Sequence, residues 1–175
     1  RAVRDLRDLT RLRKALIRER GHHVNRIAKT LELAHLKLSC VVTDLMGKTG
    51  RAILHALSAG LDDPERLVAC AQGSLRKKQA ALREALVGRL TPHYAFLLQQ
   101  HLSLIDGVDA HIATLDARIE TAMAPFAEAA ALVQTLPGVA RRAAQAILAE
   151  RLARGEIEAD EYRSRLDALN HRPGG

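Results

Sequence analysis

Apolar residues recur along this 175-residue chain at intervals of three and four positions, the spacing of one face of an α-helix. Between residues 4 and 43 this pattern predicts one long helix, whose second half repeats like the seam of a coiled coil. Gly21 interrupts the pattern, so we expect the helix to bend or fray there. The apolar positions of this helix are Leu6, Leu9, Leu12, Leu16, Val24, Ile27, Leu31, Ala34 and Leu38.

A second long helix is predicted from Thr91 to about Met123, where Pro125 ends it. Shorter amphipathic helices are predicted over 51–59 and 74–86. No segment alternates between apolar and polar residues with period two, the pattern of a half-buried strand. The apolar face of the second long helix consists of Leu98, Leu102, Ile105, Val108, Ile112, Leu115 and Ile119.

Glycine, aspartate and proline mark the ends of the shorter helices. Gly60 is predicted to cap the C-terminus of the helix over 51–59. Asp62 or Asp63 is predicted to cap the N-terminus of the next short helix, with Pro64 in its first turn.

We therefore predict an all-α fold, an elongated helical bundle with long coiled-coil-like helices and a short C-terminal helical hairpin. The two long apolar faces are far apart in the sequence. They could pack on each other in antiparallel fashion or on a second copy of the chain, and we expect a homo-oligomer. The residues predicted to form the association seam are Leu31, Leu38, Ile105, Ile112 and Ile119.

The basic residues are concentrated at one end of the chain. Residues 1–30 hold ten Lys or Arg against three Asp or Glu, and thereby account for the whole formal net charge of +7. Such a cationic helix indicates a polyanionic partner, and we expect DNA or structured RNA rather than a small-molecule substrate. A solvated amphipathic helix without a partner is the alternative. The residues predicted to contact phosphates are Arg4, Arg11, Arg13, Lys14, Arg18, Arg20 and Arg26, followed by Arg141 and Arg142.

The remaining composition argues against other kinds of chemistry. Only 2% of the residues are aromatic, so recognition by base stacking is not expected. Cys40 and Cys70 are predicted to be buried free thiols, which suits the reducing cytoplasm. No long apolar stretch predicts a membrane span. No metal or cofactor is expected, because no two of the histidines noted here stand at metal-binding spacing beside a carboxylate. These histidines are His22, His93, His101 and His111.

A Pro-Gly loop precedes the helix predicted to begin near Arg141. Leu136-Pro137-Gly138-Val139 would leave backbone amides exposed at the start of that helix, where a phosphate can bind. Helix-hairpin-helix DNA-binding proteins use such a loop, although they usually have a second glycine where this chain has Ala140. A simple turn between helices is the alternative.

The order of these features resembles the central region of the insertion-sequence one-ten family of transposases. The resemblance covers about residues 4–150. It rests on DLRDLTRLRKALIRERGHHVNRIAKTLELAHLKLSCVVTDLMGKTGRAILHALSAGLDDPERL, GSLRKKQAALREALVGRLTPHYAFLLQQHLSLID and LVQTLPGVARRAAQAILAE. In that family a RuvC-like domain with four metal-binding acids precedes the helical region, and a domain that opens with a Pro-Gly hairpin supplies a catalytic serine. The enzymes recombine DNA under the direction of a structured RNA.

The resemblance implies a division of the chain and the loss of both catalytic parts. Residues 1–45 would be a basic coiled-coil-like helix, 46–134 the helical middle region, and 135–150 the truncated start of the serine domain. The RuvC-like domain, with its divalent metal, would lie before Arg1, so the chain would not itself bind that metal. None of the following serines stands in a context that matches the catalytic one: Ser39, Ser58, Ser74, Ser103 and Ser164.

Residues 147–170 resemble a SHOCT module, a short helical hairpin at the C-terminus of many bacterial proteins. The likeness rests on ILAERLARGEIEADEYRSRLDAL. Such modules are thought to mediate association. A tail that folds against its neighbouring helix is the alternative.

Together these features predict a truncated insertion-sequence transposase that binds nucleic acid and associates through helices, without catalytic residues of its own. Whether it takes part in an enzymatic reaction stays open, because catalytic parts could be supplied by other chains. The alternative is an oligomerisation protein of the SHOCT type with no role on nucleic acid.

Overall fold

The computed structural model describes residues 2–135 and 138–155, and every regular element among them is helical. The predicted all-α class is thereby confirmed for this part of the chain, in which no strand occurs. Two short 3₁₀ segments lie at Gly73–Lys78 and Ala124–Phe126. The α-helices are α1 (Ala2–Leu33), α2 (Leu38–Val41), α3 (Lys48–Ser58), α4 (Pro64–Val68), α5 (Gln79–Ala85), α6 (Pro92–Met123), α7 (Ala127–Gln134) and α8 (Arg141–Ala153).

These elements form two units, which we describe separately. The central unit is Ile17–Ala110. The terminal unit comprises the described residues of 1–16 and 111–155. Each of the two 32-residue helices, α1 and α6, contributes to both units.

The core of the central unit is made mostly of leucine and isoleucine. Side chains from all six of its α-helices meet in one cluster. Burying one such side chain completely contributes about 1.5–3 kcal/mol relative to leaving it in water. The residues with no exposed surface are Ile27, Leu38, Ile53, Leu54, Leu57, Leu67, Leu82, Leu98 and Ile105.

The first helix ends ten residues earlier than predicted, at Leu33 instead of residue 43. His35 adopts the left-handed conformation, with φ of 58°. The amide of Leu36 donates to the carbonyl of Leu31 at 2.8 Å, and the amide of His35 donates to Glu32 at 2.9 Å. This pair of bonds is the Schellman motif, which stops a helix and turns the chain. The apolar pattern continues past this turn because Leu36 and Leu38 pack into the same core.

Two glycines of the central unit allow backbone segments to approach closely. A Cβ on Gly50 would lie 2.4 Å from the carbonyl oxygen of Leu45, and one on Gly88 would lie 2.6 Å from that of Ala34. Real Cβ atoms do not approach so closely, so both positions require glycine or a shift of the backbone. Gly88 thus lets the segment after α5 pack against the end of α1, where the amide of Arg89 donates to Ala34 at 2.7 Å.

Most helix ends agree with the sequence, and two predicted helices differ from the observed ones. Asp63 caps α4 by accepting from the amide of Glu65, Gly60 has φ of +85°, and α6 covers the predicted span. The helix predicted over 51–59 begins at Lys48. The helix predicted over 74–86 is a 3₁₀ segment followed by α5.

Cys40 is exposed on α2, so its predicted burial is wrong, whereas Cys70 is half-buried.

The predicted association seam is divided between the cores of the two units. Leu31, Leu38 and Ile105 are at most 1% exposed within the central unit. Ile119 is 1% exposed in the terminal unit, and Ile112 is half-buried. The four buried side chains therefore pack inside the chain, and a contact between copies would need other residues. The predicted homo-oligomer stays a prediction.

The terminal unit has a smaller core, which brings α1, α6, α7 and α8 together. Leu6 of α1 packs in one cluster with Ile119 and Met123 of α6 and with Leu148 of α8. Helix α8 begins at Arg141, as predicted. Leu136 and Pro137 of the predicted Pro-Gly loop lie outside the described residues, as does the SHOCT-like segment after Gly155.

None of the helices described here is both long enough and apolar enough to span a bilayer.

Candidate nucleic-acid interface

The cations of α1 lie on two sides of the helix. Positions 4, 7, 11 and 14 are three or four residues apart and share one face of α1 in the terminal unit. Positions 18, 22, 26 and 29 do the same in the central unit. All are Lys or Arg except His22. We call this set the α1 basic row. Arg13 and Arg20 lie on the opposite face, the one that carries the apolar residues.

Arg20 is held by an acidic residue of α6 in the central unit. Its Nε donates to Oδ1 of Asp109 at 2.6 Å, and both side chains are about one-third exposed. Arg51 of α3 donates to the other oxygen of Asp109 at 2.9 Å and to Asp106 at 2.5 Å. Asp109 thus joins two arginines from two helices, and Arg20 serves the packing of α1 on α6.

Arg13 has the equivalent position in the terminal unit. Its Nε donates to Oδ1 of Asp116 at 2.5 Å, and its side chain is 21% exposed. Arg142 of α8 lies 2.8 Å from the second oxygen of Asp116. Asp116 therefore links α1 to α8 through α6, and neither of these predicted phosphate ligands is available without breaking an ion pair.

Glu120, one turn after Asp116 on α6, organises the start of α8. It accepts from Arg141, from Arg142 at 3.2 Å and from the side-chain amide of Gln145 at 2.8 Å. Gln145 is only 3% exposed, so its hydrogen bond to a carboxylate offsets the cost of burying its amide. The two arginines predicted for the Pro-Gly hairpin thus have acidic partners within the chain.

Three members of the α1 basic row form ion pairs. Arg7 lies 3.7 Å from Asp8 with its side chain 29% exposed, and the other two pairs are weak and more exposed. Arg11 donates to Glu150 at 2.9 Å with its side chain 58% exposed, and Lys29 donates to Glu32 at 3.3 Å. Exposed pairs of this kind contribute about 0–1 kcal/mol, so a phosphate could replace either carboxylate at little cost.

Four cations of the α1 basic row have no ion pair with any acid in the described part of the chain. They are Arg4, Lys14, Arg18 and Arg26. Each is exposed, and their positive charge is therefore available to solvent. Of the nine cations predicted to bind phosphates, these four are both exposed and unpaired. Arg11 is exposed but is paired with Glu150.

Two histidines meet beside Arg26 in the central unit. Nδ1 of His23 on α1 lies 3.3 Å from Nδ1 of His101 on α6, and the ring centroids are 5.4 Å apart with a tilt of 41°. Burial lowers the pKa of His101, and the charges of His23 and Arg26 lower it further. His101 is therefore neutral at physiological pH.

The sequence alone did not predict the acidic partners on α6. Asp109, Asp116 and Glu120 anchor five arginines. A signal was present in the pattern, because Arg13 and Arg20 interrupt the apolar face of α1. A charge on such a face needs a partner on the helix it packs against.

Comparison with known proteins adds nothing to this geometry. No protein-family model matches the chain. Searches of curated proteins and of solved structures gave no significant match either. The resemblance to the insertion-sequence family thus rests on the motifs quoted above.

Proposed function

We propose that this chain binds the sugar-phosphate backbone of nucleic acid through the α1 basic row. The observation that carries the proposal is the separation of charges on α1. The cations that face the packed helices have carboxylate partners, whereas Arg4, Lys14, Arg18 and Arg26 are exposed and have none among the described residues.

The exposed cations and the paired arginines differ in the free-energy cost of contacting a phosphate. An exposed, unpaired side chain keeps its charge in water and releases condensed counterions when it contacts DNA or RNA. A partly buried arginine such as Arg13 would first have to leave Asp116, which Arg142 alone would then hold, so a phosphate contact there would replace an existing ion pair. We therefore assign Arg13, Arg20 and Arg142 to the stability of the fold.

The α1 basic row suits backbone contact better than reading of base edges. Apart from His22, its members are long cationic side chains that share a helical face within each unit, and the chain offers few aromatic rings for stacking. Binding should therefore depend strongly on salt and weakly on sequence.

We further propose that the chain corresponds to the helical region of an insertion-sequence one-ten family transposase. The quoted motifs and their order support this assignment. On this proposal the chain contributes nucleic-acid binding to transposition, and none of its described residues is assigned a catalytic role.

Fluorescence anisotropy with labelled duplex DNA and with a labelled RNA hairpin tests the first proposal. Four phosphate contacts on a duplex predict a slope of about −3.6 for the logarithm of the association constant against the logarithm of salt concentration. Affinity should then fall about a hundredfold when salt rises fourfold. Binding that does not respond to salt, or no binding of either probe at micromolar protein, would reject the proposal.

A further inference from the structure

We propose that His23 and His101 form a binding site for a divalent transition-metal ion such as Zn²⁺, Ni²⁺ or Cu²⁺. Their Nδ1 atoms are 3.3 Å apart. In a tetrahedral zinc site two imidazole nitrogens lie about 2.0–2.1 Å from the metal, which places them about 3.3–3.4 Å from each other. The two nitrogens therefore already have the separation that one shared ion requires.

A direct hydrogen bond between the rings is the competing explanation for this contact. A separation of 3.3 Å satisfies hydrogen-bond geometry when one Nδ1 carries a proton and the other accepts, so a metal ion would replace this bond. The rings are tilted by 41°, with centroids 5.4 Å apart. A bridging ion would satisfy both nitrogens at once.

The two helices hold the rings in place. His23 lies on α1 beside Val24 and Ile27, which pack into the core of the central unit, and His101 precedes the buried Leu102 on α6. Both rings are half-buried, so part of the site faces solvent. A site built on packed helices is preorganised and loses little conformational entropy when the ion binds.

The surroundings limit the strength and the type of metal binding. Arg26 adds positive charge close to His101, and Asp109, about two turns further along α6, is engaged by Arg20 and Arg51. In the part of the chain that the structure describes, no third His, Cys, Asp or Glu completes a cluster. Water or a small anion would therefore fill the remaining positions, and the affinity should follow the order Cu²⁺ above Ni²⁺ and Zn²⁺.

Denaturant unfolding of the full chain without a purification tag, at increasing free Zn²⁺, tests the proposal. When free Zn²⁺ is ten times its dissociation constant, the equilibrium constant for unfolding should fall about elevenfold, and a chelator should reverse this change. His23→Ala and His101→Ala should each abolish the response, and the double variant should lose no more than either single variant. His93→Ala, which changes an exposed histidine of the same α6 helix, should keep it.

A second measurement does not depend on stability. With Cu²⁺ the electron paramagnetic resonance spectrum should show two coordinated imidazole nitrogens in the original chain, and His101→Gln should leave at most one. The proposal is overturned if Zn²⁺ does not change the unfolding equilibrium. It is equally overturned if His23→Ala and His101→Ala respond as strongly as His93→Ala, since other histidines would then bind the metal.

Discussion

Replacing Gly50 by alanine should destabilise the central unit, although the change from glycine to alanine inside a helix ordinarily stabilises a protein. Gly50 is in the first turn of α3, and its backbone lies directly against the turn that precedes this helix. An added Cβ would be 2.4 Å from the carbonyl oxygen of Leu45 and 2.8 Å from that of Asp44. Both neighbours are backbone atoms, which cannot move aside by changing a rotamer.

Two opposing contributions determine the size of this effect. Alanine is favoured over glycine in a helix by about 0.8–1 kcal/mol, and by less in the first turn. Overpacking of a buried site costs about 1–3 kcal/mol, because the helix must move away from the turn by several tenths of an ångström. We therefore expect Gly50→Ala to lower the free energy of unfolding by about 1–2 kcal/mol.

Gly107→Ala provides the matched control. Gly107 also belongs to the central unit and lies inside α6, where an added Cβ would meet nothing within 4 Å. This variant should gain about 0.5–1 kcal/mol. Urea unfolding followed by far-ultraviolet circular dichroism measures both changes. If Gly50→Ala were as stable as Gly107→Ala, the close approach between α3 and the preceding turn would be refuted.

Three further changes test the packing and the ion pairs of the central unit. Leu57→Ala should lower the free energy of unfolding by about 2–5 kcal/mol in a urea titration, because Leu57 has no exposed surface. The control Val87→Ala, at a 66% exposed position, should change this free energy by less than about 0.5 kcal/mol. A double-mutant cycle with Arg20→Ala and Asp109→Ala should give a coupling energy of about 0.5–1 kcal/mol, and a coupling of zero would remove Arg20 from the structural set. The hydrogen bond from Arg83 lowers the pKa of Glu65, so the stabilisation from this exposed pair is complete above the ordinary glutamate pKa of about 4.5 and is lost as the pH falls through the lowered value. Stability measured against pH in Glu65→Gln should lack this part of the acid dependence, and an unchanged profile would contradict the assignment.

Local patterns predicted α6, the start of α1 and the short helices α3, α4, α5 and α8, because the signals that define them are short-range, whereas α7 was not predicted. The spacing of Leu98, Leu102 and Ile105 and the Pro-Gly or Asp-Pro punctuation depend on neighbours within one or two turns. The end of α1 was predicted ten residues too late. A glycine normally marks the left-handed position of a Schellman motif, and here His35 occupies it. The apolar residues beyond it kept the helical spacing, so the sequence offered no reason to stop at Leu33.

The contacts between distant residues could not be obtained in the same way. Arg13 and Asp116 are separated by 103 residues, and His23 and His101 by 78. Net charge predicts that cations are present, but only the packing of α1 on α6 within each unit decides which cations meet an acid. The side of the helix on which a predicted phosphate ligand lies therefore decides whether it is exposed or paired. This side can be recognised in the sequence only once the partner helix is known.

The central claim is that the exposed, unpaired cations of the α1 basic row bind nucleic-acid phosphates. Its most direct test compares two fourfold alanine variants of equal net charge by fluorescence anisotropy on duplex DNA over a series of salt concentrations. One variant replaces Arg4, Lys14, Arg18 and Arg26, and the other replaces four exposed cations elsewhere, Lys37, Arg66, Lys77 and Arg89. The first should reduce the magnitude of the salt slope by about 3–4, roughly one for each lost contact, whereas the second should reduce it by less than about one. Equal reductions in the two variants would show that net charge alone, and not the α1 basic row, accounts for binding.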